Sequence, residues 1–249
     1  MPASLRDLQL GLRTLRKSPG LTLVSVVALT LGIGLTTMMF SIVYGALLKG
    51  LPFAEGDRIA VISRTNPGLE VQKQPIPIQD LPDLAAQQRS FSHFGAYTSG
   101  TMNVSGTERA ERYSGSWVTQ QTFAMTGVQP VLGRDFRPGE DTPQGARVVV
   151  LGYDMWQTRF GGATSVLGTT IRVNGVPYEV IGVMPDGFAY PQNDQLWLPL
   201  QQDPLVGVRG EGLFVSVVGK LKPGVSHAQA AADVTTIMQR LGAEYPETN

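Results

Sequence analysis

The chain carries no charged residue between Ser18 and Leu48, where it reads SPGLTLVSVVALTLGIGLTTMMFSIVYGALL. About twenty apolar residues are enough to cross the hydrocarbon core of a bilayer. A signal peptide has a shorter apolar region, of about 7–15 residues, followed by a cleavage site with small residues. This run is longer and ends in Leu47-Leu48-Lys49. The sequence therefore predicts a retained transmembrane helix over residues 20–49.

The charges that flank this run predict its orientation. Four basic residues precede it, namely Arg6, Arg13, Arg16 and Lys17. The residues that follow it closely have both signs, with Lys49 and Arg58 beside Glu55 and Asp57. Because Lys and Arg are enriched on the cytoplasmic side of membrane helices, we expect a cytoplasmic N-terminus. The chain after about residue 50 is then periplasmic or otherwise extracytoplasmic, and the span lies in the inner (plasma) membrane.

The segment before the span, residues 1–19, is basic and has leucines at helical spacing, at Leu5, Leu8, Leu12 and Leu15. This pattern is typical of a short amphipathic helix that lies on the inner membrane surface with its basic residues towards the lipid headgroups. A simple helical extension of the span is the alternative, and the sequence leaves both open.

Small residues recur within the span at Ala28, Gly32 and Thr36. Residues four apart share one face of a helix, and small residues allow a second helix to approach closely. This face is therefore the candidate surface for helix packing. A single span encloses no pore, so transport would require further helices from this protein or from a partner.

Apolar runs, turn residues and helix caps predict the elements after residue 52. Strands are predicted at 58–63, 91–102, 109–118, 147–151, 170–173, 178–183, 196–200 and 213–221, helices at 80–89, 119–125, 153–160 and 227–243, and a loop at 66–78. In the last helix, Ser226 is the expected N-cap. One face of that helix is predicted to hold Ala231, Val234, Thr235, Met238 and Leu241.

The order of these elements predicts an α+β fold with two lobes outside the membrane. Without the long middle, the ends match a split βαβ domain that lacks its last strand. We therefore expect one lobe at residues 52–118 plus 211–249, interrupted by an inserted β-rich lobe at 119–210. Because the last predicted helix should lead into a strand, the chain is also expected to be a fragment of a longer protein.

The stretch VNGVPYEVIGV has the strongest turn signal in the sequence, at Asn174 and Gly175. Asn-Gly between two alternating runs is typical of a tight β-hairpin, because both turn positions need a positive φ angle. These two residues are therefore predicted to have a structural role in the inserted lobe.

Composition and motifs exclude several classes of function. The chain has 20 Lys+Arg and 20 Asp+Glu, whereas a nucleic-acid-binding protein usually shows a strongly basic face. It has no cysteine, which removes disulfides, thiol catalysis and Cys-ligated zinc. The phosphate-loop pattern G-x-x-x-x-G-K-[ST] and the nucleophile elbow G-x-S-x-G are both absent from it. We therefore expect no nucleic-acid partner and no nucleotide site.

The remaining ionisable residues show no catalytic pattern. His93 and His227 are the only histidines, and their spacing matches no zinc motif. Acids that are close in sequence, which we expect to be solvated, occur at Glu140-Asp141 and Glu108/Glu111. The tryptophans are expected to be packing anchors and not ligand platforms, at Trp117, Trp156 and Trp197. The sequence thus predicts no enzyme, no catalytic residue, no cofactor and no metal.

Four stretches resemble a known family when they are taken together and in order. They are RTLRKSPGLTLVSVVALTLGIGLTTMMFSIVYGALLKGLPF, TGVQPVLGRDFRPGED, VVVLGYDMWQTRFGGATSVLGTTIRVNGVPYEVIGVMPDGFAYP and VVGKLKPGVSHAQAAADVTTIMQRLGAEYPETN. The chain resembles the N-terminal part of a MacB-like ABC transporter permease, of the acidobacterial type that carries such a unit twice. The resemblance covers the first transmembrane helix and the MacB-type periplasmic core domain.

The resemblance implies a function in transmission. A separate ATP-binding subunit would act on the cytoplasmic side, and the membrane helices would relay its movement to the periplasmic lobes. The implied partners are membrane lipids, the ATPase, a second permease unit in a dimer or pseudo-dimer, and a periplasmic adaptor in some complexes. The later helices of such a permease are absent from this sequence, and no catalytic residue is implied.

Two other functions stay open at this point. The chain could be a membrane-anchored extracytoplasmic binding or scaffolding module without an ATPase partner, in which case the rest of its gene would encode no further spans. It could also be an anchored hydrolase that uses His93 or His227. The expected function is a permease segment of an ABC-type exporter or mechanotransmission complex.

Overall fold

A computed structural model describes residues 17–43, 55–66, 71–106, 109–210 and 212–246 of the chain. The chain forms two compact units, residues 1–52 and 53–249. Within the described residues, the first unit contributes one long helix and the second contributes every strand. The α+β fold class with an N-terminal apolar helix is therefore confirmed.

Helix α1, Pro19–Val43, is the helix that the charge-free run predicts. Proline suits the first turn of a helix, where its missing N–H would have no partner. The part Pro19–Ser41 has a mean hydropathy of 2.1 and is long and apolar enough to cross a membrane. The predicted amphipathic segment lies outside the described residues over positions 1–16. The end of the predicted span, at positions 44–49, lies outside them as well.

The second unit begins with strands that the sequence predicted only in part. Strand β1, Ile59–Ile62, confirms the first predicted strand. The residues that follow it, predicted as a loop at 66–78, contain strands β3 (Val71–Gln74) and β4 (Ile76–Pro77). Strand β3 pairs with β2 (Arg64–Asn66) in a separate two-stranded sheet. The loop prediction was wrong because strands this short, interrupted by prolines, are too brief to show an alternating pattern.

The remaining elements confirm the predicted order of strands and helices. The strands are β5 Phe91–Ser105, β6 Glu111–Val118, β7 Leu132–Gly133, β8 Val148–Leu151, β9 Thr170–Val173, β10 Val176–Val183, β11 Leu196–Pro199 and β12 Phe214–Leu221. The helices are α2 Leu81–Gln87, α3 Gln120–Ala124, α4 Tyr153–Phe160 and α5 His227–Glu244. The short strand β7 was not predicted.

Most strands belong to one continuous sheet, in the order β1-β12-β5-β6-β11-β8-β10-β7. Strand β9 pairs with β10 and also with β5, where Val104 lies opposite Val173 and Ser105 opposite Arg172. The strands β5, β6, β11, β8, β10 and β9 therefore form a closed ring. This ring is a small mixed β-barrel, and closure leaves its strands without free edges.

Side chains fill the barrel, so it is a packed core and not a pore. The buried residues of this cluster include Met102, Val104, Val149, Leu151, Ile171, Val173, Val180, Leu196 and Leu198. A second buried cluster lies around Trp197 and contains Phe123, Phe136, Phe188 and Tyr190. Both clusters combine residues from distant parts of the chain, which ties the barrel strands to the loops between them.

Helix α5 packs with α2 and strands β1, β4, β5 and β12 on a third cluster. Its first turn has the predicted cap, because Gln229 N donates to Ser226 Oγ at 3.3 Å and Gln229 Oε1 accepts from Ser226 N at 2.9 Å. The predicted face was partly wrong, since Ala231 and Thr235 are exposed. Small residues tolerate either environment, so the pattern did not separate them from the buried positions, which are Ala230, Val234, Ile237 and Leu241.

The boundary between the two predicted lobes runs through the continuous sheet. Strand β6 of the first predicted lobe pairs in parallel with β11 of the inserted one, from Gly115 opposite Leu196 to Val118 opposite Pro199. The barrel therefore takes strands from both predicted lobes. The division into 52–118 plus 211–249 and 119–210 stays a prediction.

Candidate functional site

The predicted packing face of α1 consists of Ala28, Gly32 and Thr36, all of which are exposed in the described part of the chain. A Cβ atom at Gly32 would meet no atom within 4 Å. Thr36 Oγ1 donates to Gly32 O at 2.7 Å. Its hydroxyl is thus satisfied within the helix, as a polar group in lipid requires. The face is compatible with close packing, and its use by a second helix stays a proposal.

Asn174 and Gly175 lie between β9 and β10, with φ angles of 51° and 82°. Asn174 also holds the hairpin against β5, because its N–H donates to Asn103 O at 2.8 Å and its Oδ1 accepts from Asn103 N at 2.9 Å. The sequence indicated the turn but not this contact. The pair of bonds lies where β9 meets β5, so the turn residues contribute to closure of the barrel.

The two histidines lie on different elements. His93 is in β5, with Nδ1 3.2 Å from Ser92 Oγ, and His227 is exposed at the start of α5. Over the described ranges, no group of three or more His, Cys, Asp or Glu side chains could hold a metal ion. The structure therefore gives neither histidine a metal-binding neighbourhood among those residues.

Glu140 differs from the sequence prediction, because it is buried and not solvated. Its carboxylate accepts two hydrogen bonds from Arg134, at 2.7 and 3.0 Å, and one from Arg137 N at 2.8 Å. Burial raises the pKa of Glu140, but these donors outweigh it and the net pKa is lowered. Its neighbour Asp141 accepts from Gln120 N at 2.9 Å. These acids hold the loop before β8 in place, and Glu108 lies outside the described residues.

Asp135 is the acid in this region with a large pKa shift. Burial raises its pKa to about 6, although its carboxylate accepts a hydrogen bond from Phe136 N. A folded-state pKa above the unfolded one means that the folded protein binds the proton more tightly. Stability therefore falls as pH rises from about 4 through about 6.

We expect Asp135→Asn to raise the melting temperature at pH 8, because it removes the cost of a partly buried charge. After allowance for partial exposure, the gain corresponds to about 1 kcal/mol. It should shrink below pH 6 and vanish near pH 4. Thermal unfolding of the full chain in detergent between pH 4 and 8 measures it. Asp186→Asn, at an exposed turn residue, is the control, and an equal gain at all pH values would contradict the prediction.

Arg209 joins the loop before β12 to two helices. Its guanidinium pairs with the buried Asp80 and with Asp83, the latter at 2.9 Å. It also stacks on Tyr245, 3.9 Å from the ring centroid. Gln79 Nε2 donates to the carbonyl of the adjacent Val208 at 3.3 Å. The sequence did not indicate this network, because about 130 residues separate the acids from the arginine.

The chain combines an apolar helix that is long enough to cross a membrane with a sheet-rich domain. Its class is therefore that of a membrane-anchored domain. The chain belongs to the MacB-like periplasmic core domain family, whose model matches residues 22–237. The family resemblance that the sequence motifs indicated is therefore confirmed. Among curated protein sequences, none matches this chain.

Solved structures show the same fold. The chain is 21% identical to the periplasmic region of MacB from Actinobacillus actinomycetemcomitans, with a TM-score of 0.58, and the match covers 74% of this chain and 84% of that one. It is 17% identical to the extracellular domain of the noncanonic ABC-type transporter YknZ from Gram-positive bacteria, with a TM-score of 0.54, covering 76% and 93%. The first of these structures is a periplasmic region, and the second is the extracellular domain of an ABC-type transporter.

Proposed function

We propose that this chain is the N-terminal segment of an ABC-type permease that transmits the action of a separate ATP-binding subunit to an extracytoplasmic domain. The family match carries the proposal, together with the charge-free helix that precedes the domain. The expected order is a cytoplasmic N-terminus, one crossing of the inner membrane, and the α+β domain outside.

Two features of the described residues support a transmitting role. The helix is continuous from Pro19 to Val43, so a displacement at one end can reach the other. The domain that follows is built on one continuous sheet with a closed barrel, which favours movement as a rigid body. A dimer or pseudo-dimer of such units, in contact through Ala28, Gly32 and Thr36, would let two domains move against each other.

The absence of cysteine makes the orientation directly testable. We expect a single cysteine at the exposed Gln144 to react with a membrane-impermeant maleimide on intact spheroplasts. A single cysteine at Ser4 should react only after the membrane is permeabilised, because the basic flank places it inside. Mass-shift gels of the full chain measure both. If Ser4→Cys were labelled on intact spheroplasts, the N-terminus would lie outside, contrary to the proposed orientation.

The proposed helix contact can be tested with a matched pair of glycines. Gly32 and Gly34 are both open, with no atom within 4 Å of an added Cβ. Two residues along a helix amount to a rotation of about 200°, so these positions lie on opposite faces. We expect Gly32→Cys to form a disulfide-linked dimer in oxidised host membranes, with at least about fivefold higher yield than Gly34→Cys.

Coupling to an ATPase predicts that this yield depends on nucleotide state. We expect a change of about twofold or more when the host membranes are treated with ATP and vanadate, since trapping the ATPase would shift the helices between two arrangements. Cross-linking without nucleotide dependence would favour the scaffolding module instead. Equal cross-linking at both glycines would show that the small-residue face is not the contact.

A further inference from the structure

One mouth of the β-barrel opens into a cavity of about 370 Å³. Strands β6 and β11 end here and β10 begins here, as their parallel and antiparallel pairings require. The lining residues are Thr98, Trp117, Tyr178, Pro199, Leu200, Gln201, Gln202 and Leu213. Mouths of β-barrels are recurrent places for small-molecule sites.

Two aromatic side chains define the cavity. Trp117 and Tyr178 both pack against the buried barrel cluster, from strands β6 and β10 respectively. The indole of Trp117 lies over Gly100, whose added Cβ would be 3.6 Å from Cζ3 of the ring. Both rings are therefore fixed by packing beneath them. The sequence predicted a packing role for Trp117. Packing explains the position of its indole ring, but it gives no partner to the indole N–H.

The polar edges of these two side chains are free. The indole nitrogens of Trp156 and Trp197 donate to backbone carbonyls at 3.0 and 2.8 Å. Within the described residues, Trp117 Nε1 and the Tyr178 hydroxyl have no such acceptor, and neither is a fully buried atom. The Tyr178 hydroxyl is protonated at neutral pH, as for any tyrosine, and burial raises its pKa further. Both donors are therefore accessible to solvent and make no hydrogen bond to protein atoms within the described residues.

The rest of the lining limits what could supply that acceptor. Pro199, Leu200 and Leu213 form an apolar wall, and no Asp, Glu, Lys, Arg or His is among the lining residues. Gln201 is already held, because its Nε2 donates to Glu140 O and Ala146 O at 2.8 and 3.0 Å. A cation would lose its hydration here without gaining an opposite charge, which is costly. The positive charge of Arg147 acts on the Tyr178 hydroxyl, so it would add to that cost for a cation and offset part of it for an anion.

We propose that this barrel mouth is a binding site for an uncharged molecule with an apolar body and a hydrogen-bond acceptor such as a carbonyl or ether oxygen. The apolar body would cover the proline and leucine wall and the ring faces. The acceptor would receive a hydrogen bond from the Tyr178 hydroxyl or from Trp117 Nε1, the two donors on the lining rings. This site is independent of the proposed coupling to an ATPase, since it requires only the folded domain.

Three probes that share a six-membered carbon ring and differ in charge test the proposal. The full chain is labelled with 5-fluorotryptophan in lipid nanodiscs, and its three fluorine resonances are assigned with single Trp→Phe variants. Cyclohexanone, cyclohexylammonium and cyclohexanecarboxylate are then titrated separately. Cyclohexanone should give a saturable shift of the Trp117 resonance, while the resonances of Trp156 and Trp197 stay in place. Cyclohexylammonium should shift the Trp117 resonance at least about tenfold less at equal concentration. Cyclohexanecarboxylate should also shift it less than cyclohexanone does, although Arg147 offsets part of its desolvation.

A matched pair of hydroxyl deletions locates the donor. Tyr178→Phe keeps the ring and should weaken cyclohexanone binding by about three- to tenfold, the range for loss of one neutral hydrogen bond. Tyr153→Phe removes a hydroxyl from a tyrosine that contacts Trp156 edge-on outside the cavity, and should leave binding unchanged. The proposal fails if the Trp117 resonance does not respond to cyclohexanone. It also fails if the charged probes bind equally well or if Tyr178→Phe has no effect.

Discussion

Replacing Trp197 by alanine is expected to cause a large loss of stability, because it removes the centre of a buried aromatic cluster. The side chain is fully buried, with Phe123 and Phe188 at centroid distances of 5.5 and 5.4 Å. Its Nε1 donates to Tyr190 O at 2.8 Å. Truncation would leave a large cavity and remove this hydrogen bond, at a cost of about 3–5 kcal/mol. That is a large part of the total stability of a typical domain, about 5–15 kcal/mol.

Urea unfolding of the full chain in detergent, followed by far-ultraviolet circular dichroism, measures this loss. Trp156→Ala is the matched control, because that tryptophan is only half-buried and packs on Tyr153 at the surface of α4. The control should lose clearly less than the Trp197 variant. If the two variants were equally stable, the aromatic cluster would not be the core of this part of the fold.

Arg209→Ala is expected to cause the second large loss, because it removes a cation from a buried carboxylate. The side chain of Asp80 has 0% exposure, and Arg209 is 21% exposed. Removing one partner of a buried ion pair costs about 3 kcal/mol or more. The loss of stacking on Tyr245 adds to it. The loop before β12 should also lose its attachment to α2 and α5.

The same unfolding measurement tests this prediction, with hydrogen exchange to locate the effect. Arg240→Ala, at an exposed position of α5, should change stability by no more than about 0.5 kcal/mol. Arg209→Lys should be intermediate, because an ammonium keeps the charge but cannot bond two carboxylates as a planar fork does. A fully stable Arg209→Ala variant with unchanged exchange in the loop at 201–210 would argue against a structural role for this network.

Local signals predicted most of the elements. The membrane helix follows from a run without charges, and the α5 cap follows from Ser226, to which the structure adds Gln229 as the partner in a capping box. The β9–β10 turn follows from Asn174-Gly175, where both φ angles are positive. Each of these depends on residues close together in sequence, and so can be deduced without knowing the fold. The family resemblance rests on the same local motifs, taken in order.

The packing of distant segments could not be predicted in this way. Ser116 Oγ, for example, donates to the buried Asp194 at 2.8 Å across 78 positions of sequence. Glu140 was expected to be solvated and is instead enclosed by its bonds to Arg134. Whether an acid on a loop is buried depends on the chain that folds over it, and no local pattern records that. The candidate site at the barrel mouth was missed for the same reason.

The sequence by itself determined the membrane helix, the turns, the caps and the class of domain, because hydropathy, φ preference and capping act within a few residues. Only the tertiary structure decided the closure of the barrel, where β9 joins β5. It also decided which side chains meet at the mouth, because Trp117 and Tyr178 come from strands that are not adjacent in the ring. Long-range strand pairing depends on the fit of whole surfaces, and that fit is a property of the folded chain.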